Sequence, residues 1–319
     1  MDGLTLGVFG SDAGLKEAFE ASVGKKSEAE GITVFHRVES GKKISLLDDA
    51  TYPERIQGYS RIASISDHAL YLFPKGRGLS APDGELAVLV QSFGLQGRVE
   101  VFDEAVSLDA ARSSFKGTSL ESFRYEARTS GSSVLGVEGI SPRADFGKGT
   151  LVYIDRSFTV KGVGTVALGF VLSGSLKVHD DLRLLPAQGE PKSAEVRGIQ
   201  INDEDFDSCG RGIRVGLSLK GVEPKDLEKT YWLDDGSLGT TAKLGFAFSP
   251  SPFYKQAVKG RDMHLQLPGQ TAVAYISEAG GRFVADLQFE TPVWEGMRVA
   301  ILDLNGKGLR VAGGGTCNI

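Results

Sequence analysis

Residues 153–186 constrain the fold more than any other stretch. They read Tyr153-Ile-Asp-Arg-Ser-Phe-Thr-Val-Lys-Gly-Val-Gly-Thr-Val-Ala-Leu-Gly169, then Phe170-Val-Leu-Ser-Gly-Ser-Leu-Lys-Val-His-Asp-Asp-Leu-Arg-Leu-Leu-Pro186. Apolar residues recur through 153–158 with the period of a half-buried strand. Lys161-Gly-Val-Gly164 makes a turn, and a second strand follows over 165–172. Ser173-Gly174 turns the chain into further short strands at 176–178 and 182–185. Short strands joined by glycine turns imply a small β-barrel. The 42 glycines of the chain are spread as single turn residues, which favours strands over long helices throughout.

The wording of this stretch, with its Ile-Asp-Arg, Lys-Gly and Gly-Thr-Val segments and its Leu-Leu-Pro ending, resembles the second-domain barrel of translational GTPases of the EF-Tu superfamily. It resembles most closely the selenocysteine-specific factors of the SelB type. The resemblance continues through Ala194-Glu-Val-Arg-Gly-Ile-Gln-Ile-Asn202, an acidic turn at 203–207, Cys209-Gly-Arg-Gly-Ile-Arg214-Val-Gly-Leu-Ser-Leu-Lys-Gly221 and a helical turn at 222–229. It implies an α/β GTPase-like domain in front and a second barrel behind. It also implies that Asp155, Arg156 and Arg214 occupy the positions of a pocket for the aminoacyl group of a charged tRNA. Two guanidiniums and a carboxylate at a barrel mouth would bind an anion with fixed geometry. The other outcome is an internal ion pair of Asp155 with an arginine and no ligand.

Residues 1–132 alternate strands and helices: strands at 4–9, 43–47, 69–73 and 99–102, helices at 13–23, 52–65 and 84–93, and a strand-like end at 120–125. This order implies βαβ units and a mainly parallel sheet, with ligand loops at the carboxyl ends of its strands. The first such loop is Gly10-Ser-Asp12-Ala-Gly-Leu-Lys16-Glu17, in the strand-to-helix context of a phosphate loop. Lys16 falls at the lysine position, but Leu15 replaces the second glycine and Glu17 the magnesium-binding hydroxyl. A carboxylate about 4 Å from a phosphate would cost roughly 4 kcal/mol at an effective dielectric of 20. The alternative for Glu17 is an acidic residue in a first helical turn, which the helix dipole favours.

The later loops of the resemblance depart in the same direction. Glu28-Ala-Glu30-Gly31-Ile32-Thr33 resembles the first switch, and residues 46–56 the second. Asp48 keeps the second-switch aspartate, but Thr51 replaces its glycine and Tyr52 its water-positioning histidine. A phenol with a pKa near 10 does not substitute for an imidazole tuned near neutrality. The guanine-reading Asn-Lys-x-Asp is missing, for no asparagine precedes Asn202, and Asp103 is its nearest remnant. A degenerate GTPase domain follows, expected to bind neither GTP, GDP nor magnesium and to catalyse nothing.

The expected organisation is a degenerate P-loop GTPase-like parallel-sheet domain over 1–132, a barrel over 133–236 and a second barrel over 237–319. Thr129-Ser-Gly-Ser-Ser133 reads as a flexible linker, and 134–140 as a strand that either begins the middle barrel or packs beside it. The last segment has strand candidates at 238–248, 262–267, 271–276, 282–289, 297–302 and 307–311. Its end resembles the third domain of archaeal-type SelB, with the fourth domain expected to be missing. Its basic residues, Lys243, Lys255, Lys259, Arg261, Arg282, Arg298, Lys307 and Arg310, would either line an RNA acceptor arm through phosphate contacts or form an ordinary surface.

Composition excludes several other classes. Net charge is −5, with 41% hydrophobic and 24% charged residues, which does not describe a nucleic-acid-coating protein. No stretch reaches the roughly 20 apolar residues of a membrane span, and no basic segment opens a signal peptide. Cys209 and Cys317 without a pairing pattern fit a reducing cytoplasm. His36, His68, His179 and His264 have no metal-ligand spacing, no serine or cysteine has a nucleophile setting, and Trp232 and Trp294 suit barrel cores. Three functions remain: a non-catalytic binder of charged tRNA or a translation-associated partner, an unorthodox GTPase using Lys16, Thr33 and Asp48, and a protein-interaction scaffold.

Overall fold

A computed structural model describes residues 2–29, 32–129, 134–143, 146–186, 190–228 and 230–318. The first-switch positions Glu30 and Gly31 and the linker tail 130–133 lie outside them. The first unit holds β1 (Gly3–Phe9), α1 (Ala13–Val23), β2 (Lys25–Ala29), β3 (Ile32–Glu39), β4 (Lys42–Asp48), α2 (Gln57–Ile65), β5 (His68–Phe73), α3 (Ala81–Ser92), β6 (Gly97–Val101), α4 (Leu108–Ser114) and β7 (Arg124–Ala127). Its sheet runs β2-β3-β4-β1-β5-β6-β7, parallel from β4 to β7 and antiparallel from β2 to β4. All seven residues of β1 are buried, as a central strand covered on both faces demands.

Four local expectations are corrected here. Strands β2 and β3 had no forecast; Lys25-Lys-Ser-Glu-Ala29 carries no apolar alternation, and its backbone pairs with β3. Helix α2 starts at Gln57, since residues 52–56 form turns around Pro53. Residues 119–122 form a 3₁₀ turn before β7. Residues 134–140 form no strand and strap onto the first sheet. There Leu135 and Val137 are buried beside Leu4, Leu6 and Val8. Glu39 accepts the amides of Leu135 and Gly136 at 3.0 and 2.8 Å, and Arg98 donates to both of their carbonyls.

The middle unit holds β8 (Leu151–Val160), β9 (Gly164–Ser173), β10 (Ser175–Lys177), β11 (Asp181–Pro186), β12 (Lys192–Ile201), β13 (Glu204–Phe206), β14 (Ser208–Gly210), β15 (Arg214–Lys220), α5 (Pro224–Leu227) and β16 (Thr230–Asp234). Strands β11-β16-β8-β9-β15-β12 form a ring that β12 closes onto β11, with β13 as an outlying edge. The last unit is a second closed barrel of β17 (Gly239–Pro250), β18 (Arg261–Gln266), β19 (Thr271–Ala279), β20 (Arg282–Val293), β21 (Arg298–Leu302) and β22 (Val311–Cys317). Its sixth strand is 311–317, displaced from the expected 307–311. Gly314 of β22 packs against α3, where a Cβ would collide with the Ser92 carbonyl.

The three units share one packed arrangement. Gly3 donates its amide to the Arg211 carbonyl at 2.9 Å. Trp232 is fully buried and its indole N–H donates to the Pro268 carbonyl at 2.8 Å, joining the two barrels. Arg310 of the second barrel grips the first unit, donating to Glu85 through Nε at 3.1 Å and Nη2 at 2.5 Å and to the Pro53 and Glu54 carbonyls. Among the described residues no helix is long and apolar enough to cross a membrane.

Candidate functional site

The loops at the carboxyl ends of β1, β4, β5 and β6 meet where a parallel sheet places its ligand, and side chains of the protein fill their polar positions. The loop after β1 is only Gly10-Ser-Asp12, because Asp12 caps α1 by accepting the Leu15 amide at 3.0 Å. Lys16 therefore lies one turn inside the helix on its buried face. Its ammonium donates to both Asp48 oxygens at 2.9 and 3.2 Å, to the Tyr59 hydroxyl at 2.8 Å and to the Asp49 carbonyl at 3.4 Å. Tyr59 in turn donates to Asp48 at 2.6 Å. Glu20 completes the cluster. Burial first, then the neighbouring Asp48 charge, raises its pKa to about 8, so it carries a proton at neutrality.

The surrounding loop groups are also engaged. Asp83 accepts the Ser11 amide at 3.1 Å and its hydroxyl at 2.6 Å, and pairs with Arg77 at 2.7 Å. The second Asp12 oxygen accepts the Lys75 amide at 3.2 Å. Asp103 accepts the amides of Gly76 at 2.8 Å and Ala105 at 3.0 Å, which hold its carboxyl below the usual range. Thr51 donates its amide and hydroxyl to Asp49 at 2.8 and 2.7 Å. Tyr52 is buried, its hydroxyl donating to the Pro82 carbonyl at 2.7 Å beside Glu85. Thr33 sits in the β3–β4 ladder opposite Asp48. Glu17 is exposed in the second turn of α1, so it neither faces a phosphate position nor occupies the first turn where the dipole acts.

Asp155, Arg156 and Arg214 do not converge as a set of three. A bulge in β8 between Ile154 and Arg156 turns Asp155 inward, where it accepts from Arg214 at 3.1 and 3.2 Å. Burial outweighs that cation and raises the Asp155 pKa. The other Asp155 oxygen is buried without a hydrogen-bond partner among the described residues. Arg156 is exposed on the barrel surface, its guanidinium 5.9 Å from the Phe158 ring centre.

Beside Arg214 opens a cleft of about 550 Å³ between the two units. The β2–β3 hairpin supplies Lys25, Lys26 and His36. The barrel supplies an apolar wall that includes Phe158, Val166 and Leu168, and the polar Gln200, Asp203 and Asp205. Burial, with Arg214 nearby, lowers the His36 pKa to about 4, so the imidazole is neutral there. Sequence reasoning found Arg214 but not Lys25, Lys26 or His36, which reach the cleft only through the pairing of β2 with β3.

The pattern of elongation factor Tu domain 2 matches residues 164–233. A selenocysteine-specific elongation factor of Methanocaldococcus jannaschii is 45% identical over 74 residues, 23% of this chain and 15% of that protein. The middle barrel is an EF-Tu domain 2, and the chain as a whole is SelB-like. An uncharacterized protein of the same organism is 29% identical over 317 residues, 99% of each chain. The three-unit fold is shared with translation elongation factor SelB from Methanococcus maripaludis in complex with the GTP analogue GppNHp. That structure superposes with a TM-score of 0.80 at 21% identity, over 100% of this chain and 80% of the other.

Other candidate groups in this SelB-like chain have structural places. The basic residues of the second barrel are mostly engaged: Lys259 with Glu278 at 2.7 Å, Arg261 with Asp303 at 3.3 Å, Lys243 with Asp286 at 3.5 Å and Arg310 with Glu85. Cys209 and Cys317 are buried free thiols. His264 is half-buried on β18, and His179 is exposed beside Glu195. Among the described residues no group of three or more His, Cys, Asp or Glu side chains could hold a metal ion.

Proposed function

We propose that this SelB-like chain works without a guanine nucleotide, as a non-catalytic binding protein for a charged tRNA or another translation component. One observation carries the reading: the Lys16 ammonium, which a phosphate loop needs for its ligand, is buried against Asp48 and Tyr59. The same residues fit a magnesium nucleotide poorly. The loop after β1 is three residues long, and the amides of Ser11 and Lys75 already donate to the carboxylates of Asp83 and Asp12. Replacing Lys16's carboxylate by phosphate would strand Asp48 as a buried charge, a change costing several kcal/mol. The cleft beside Arg214 supports the binding half of the reading, since it pairs cations with an apolar wall at a mouth between two units.

Titration calorimetry and thermal shift with GTP and magnesium test the nucleotide half. A ligand present at about 100 times its Kd would add about 2.7 kcal/mol of stability. The expected result is no heat, no shift and no GTP hydrolysis at millimolar nucleotide, and a saturable heat would return Lys16 to a phosphate-binding role. Filter binding with bulk aminoacyl-tRNA at low salt tests the other half, with retention expected and its absence ending the tRNA reading.

A further inference from the structure

We infer that an extended segment of a partner protein, with apolar residues alternating with carboxylates, adds as a strand to the free edge of β2. The inference names a protein as the translation component of the non-catalytic reading above and rests on that reading. The first observation is the edge itself. Strand β2 ends its sheet, and among the described residues its one strand partner is β3. Its other side offers a row of N–H and C=O groups on which a second chain can pair. The strand has no proline, and its ladder with β3 runs without a bulge, so neither device blunts the edge. Lys25 pairs with His36 and shares its face, and both line the cleft. Lys26 leaves the opposite face, yet it lines the cleft as well. The cleft therefore runs under one face of β2 and wraps around its edge.

The second observation is the barrel wall that this face meets. Leu168 pairs with Gly216, and Gly216 with Gln200. Two residues along, Val166 pairs with Phe158 and with Ser218, so these side chains share the outer face of the barrel. A barrel face turned to water is ordinarily polar. Here Phe158 and Val163 are 36% and 44% exposed, and an exposed apolar strip rimmed by polar groups marks a contact surface. Gly198 and Gly216 keep its floor flat. A strand paired with β2 would turn every second side chain onto this strip and the others out beside Lys26. Apolar residues suit the first set and carboxylates the second. The exposed lysines also repel a second basic edge, which excludes another copy of β2 as the occupant. A nucleic acid has no N–H and C=O row to pair with the edge, and Asp203 and Asp205 across the cleft would repel its phosphates.

The test uses the full chain and fluorescein-labelled peptides of about eight residues, long enough to pair along β2, in fluorescence anisotropy. One probe alternates valine with glutamate, a second alternates valine with lysine, and a third gathers the valines and glutamates into two blocks. The alternating glutamate probe is expected to bind at least about tenfold more tightly than either of the others. Leu168→Asp should remove that binding, and Lys26→Glu should shift the preference toward the lysine probe, each with unchanged circular dichroism. In the complex, amide exchange over residues 25–29 should slow, which pairing at the edge produces and a side-chain contact alone does not. Equal binding of the three probes, no binding of any, or binding that both variants leave unaltered overturns the inference. Deacylated tRNA that the parent retains and Leu168→Asp releases also overturns it, since the strip then serves an RNA. Failure of the peptides without a response to GTP leaves the nucleotide-free reading standing, whereas a saturable GTP heat ends that reading whatever the peptides do.

Discussion

Replacing Lys16 by methionine separates a structural lysine from a phosphate-binding one. The substitution keeps the length of a side chain that is 8% exposed and removes its ammonium, which is bonded to Asp48, Tyr59 and the Asp49 carbonyl. Removing one partner of a buried ion pair costs about 3–5 kcal/mol, because the other charge stays buried. Asp48 would retain the Tyr59 hydroxyl and the proton of Glu20, which places the expected loss near the lower end, about 3 kcal/mol. In a unit of this size that lowers the first calorimetric transition by on the order of 10 °C. The loss should depend on pH. The Lys16 charge favours ionised Glu20, so without the ammonium the Glu20 carboxyl holds its proton still more tightly when folded than when unfolded. Its contribution is then fully present at low pH and drains away as pH rises, so the deficit of Lys16→Met is greater at pH 8 than at pH 5.5. Scanning calorimetry of both proteins at the two pH values measures this. A variant as stable as the parent at pH 8, with a parent that magnesium–GTP stabilises, would refute the structural role of Lys16.

Three further outcomes follow from the same geometry. Glu20 has its folded pKa raised from 4.5 to about 8, so the stability tied to its proton is present below about 4.5 and lost as pH climbs through 8; Glu20→Gln, which keeps a donor toward Asp48, should gain on the parent in melting temperature at pH 8.5 and match it near pH 4.5. Gly314→Ala puts a Cβ into the Ser92 carbonyl, and overpacking of this kind costs about 1–3 kcal/mol, measurable as a lower urea midpoint. Arg310→Ala removes the clamp on Glu85 and the 53–54 carbonyls; faster amide exchange over residues 52–58 with little change inside the second barrel is expected, and uniform protection would count against the clamp.

The middle barrel and the departures of the nucleotide loops from their sequence pattern were legible because both are written locally. Alternation and glycine turns over 151–233 specify each strand within a short segment, and β8 pairs with β9 across one such turn. Leu15, Glu17, Thr51 and Tyr52 depart from a phosphate-binding pattern at fixed offsets that need no tertiary structure to be seen. The residue list was less informative about consequence. Lys16 and Asp48 looked like remnants of a lost site, and folding makes them the buried centre of a cluster. Asp155, Arg156 and Arg214 looked like one pocket, until a single bulge sent the first inward and left the second outside.

Sequence alone thus determined the order of units, the kind of each and the absence of the expected nucleotide-binding residue types, since periodicity and side-chain chemistry are properties of short segments. Only the tertiary structure decided which charges are already spent. It paired Lys16 with Asp48 across 32 positions and Asp155 with Arg214 across 59. It also brought Lys25 and Lys26 to the barrel wall through a hairpin that lacks any apolar pattern of its own. Coulomb energy and desolvation depend on distance and burial in space, and neither is set by spacing along the chain.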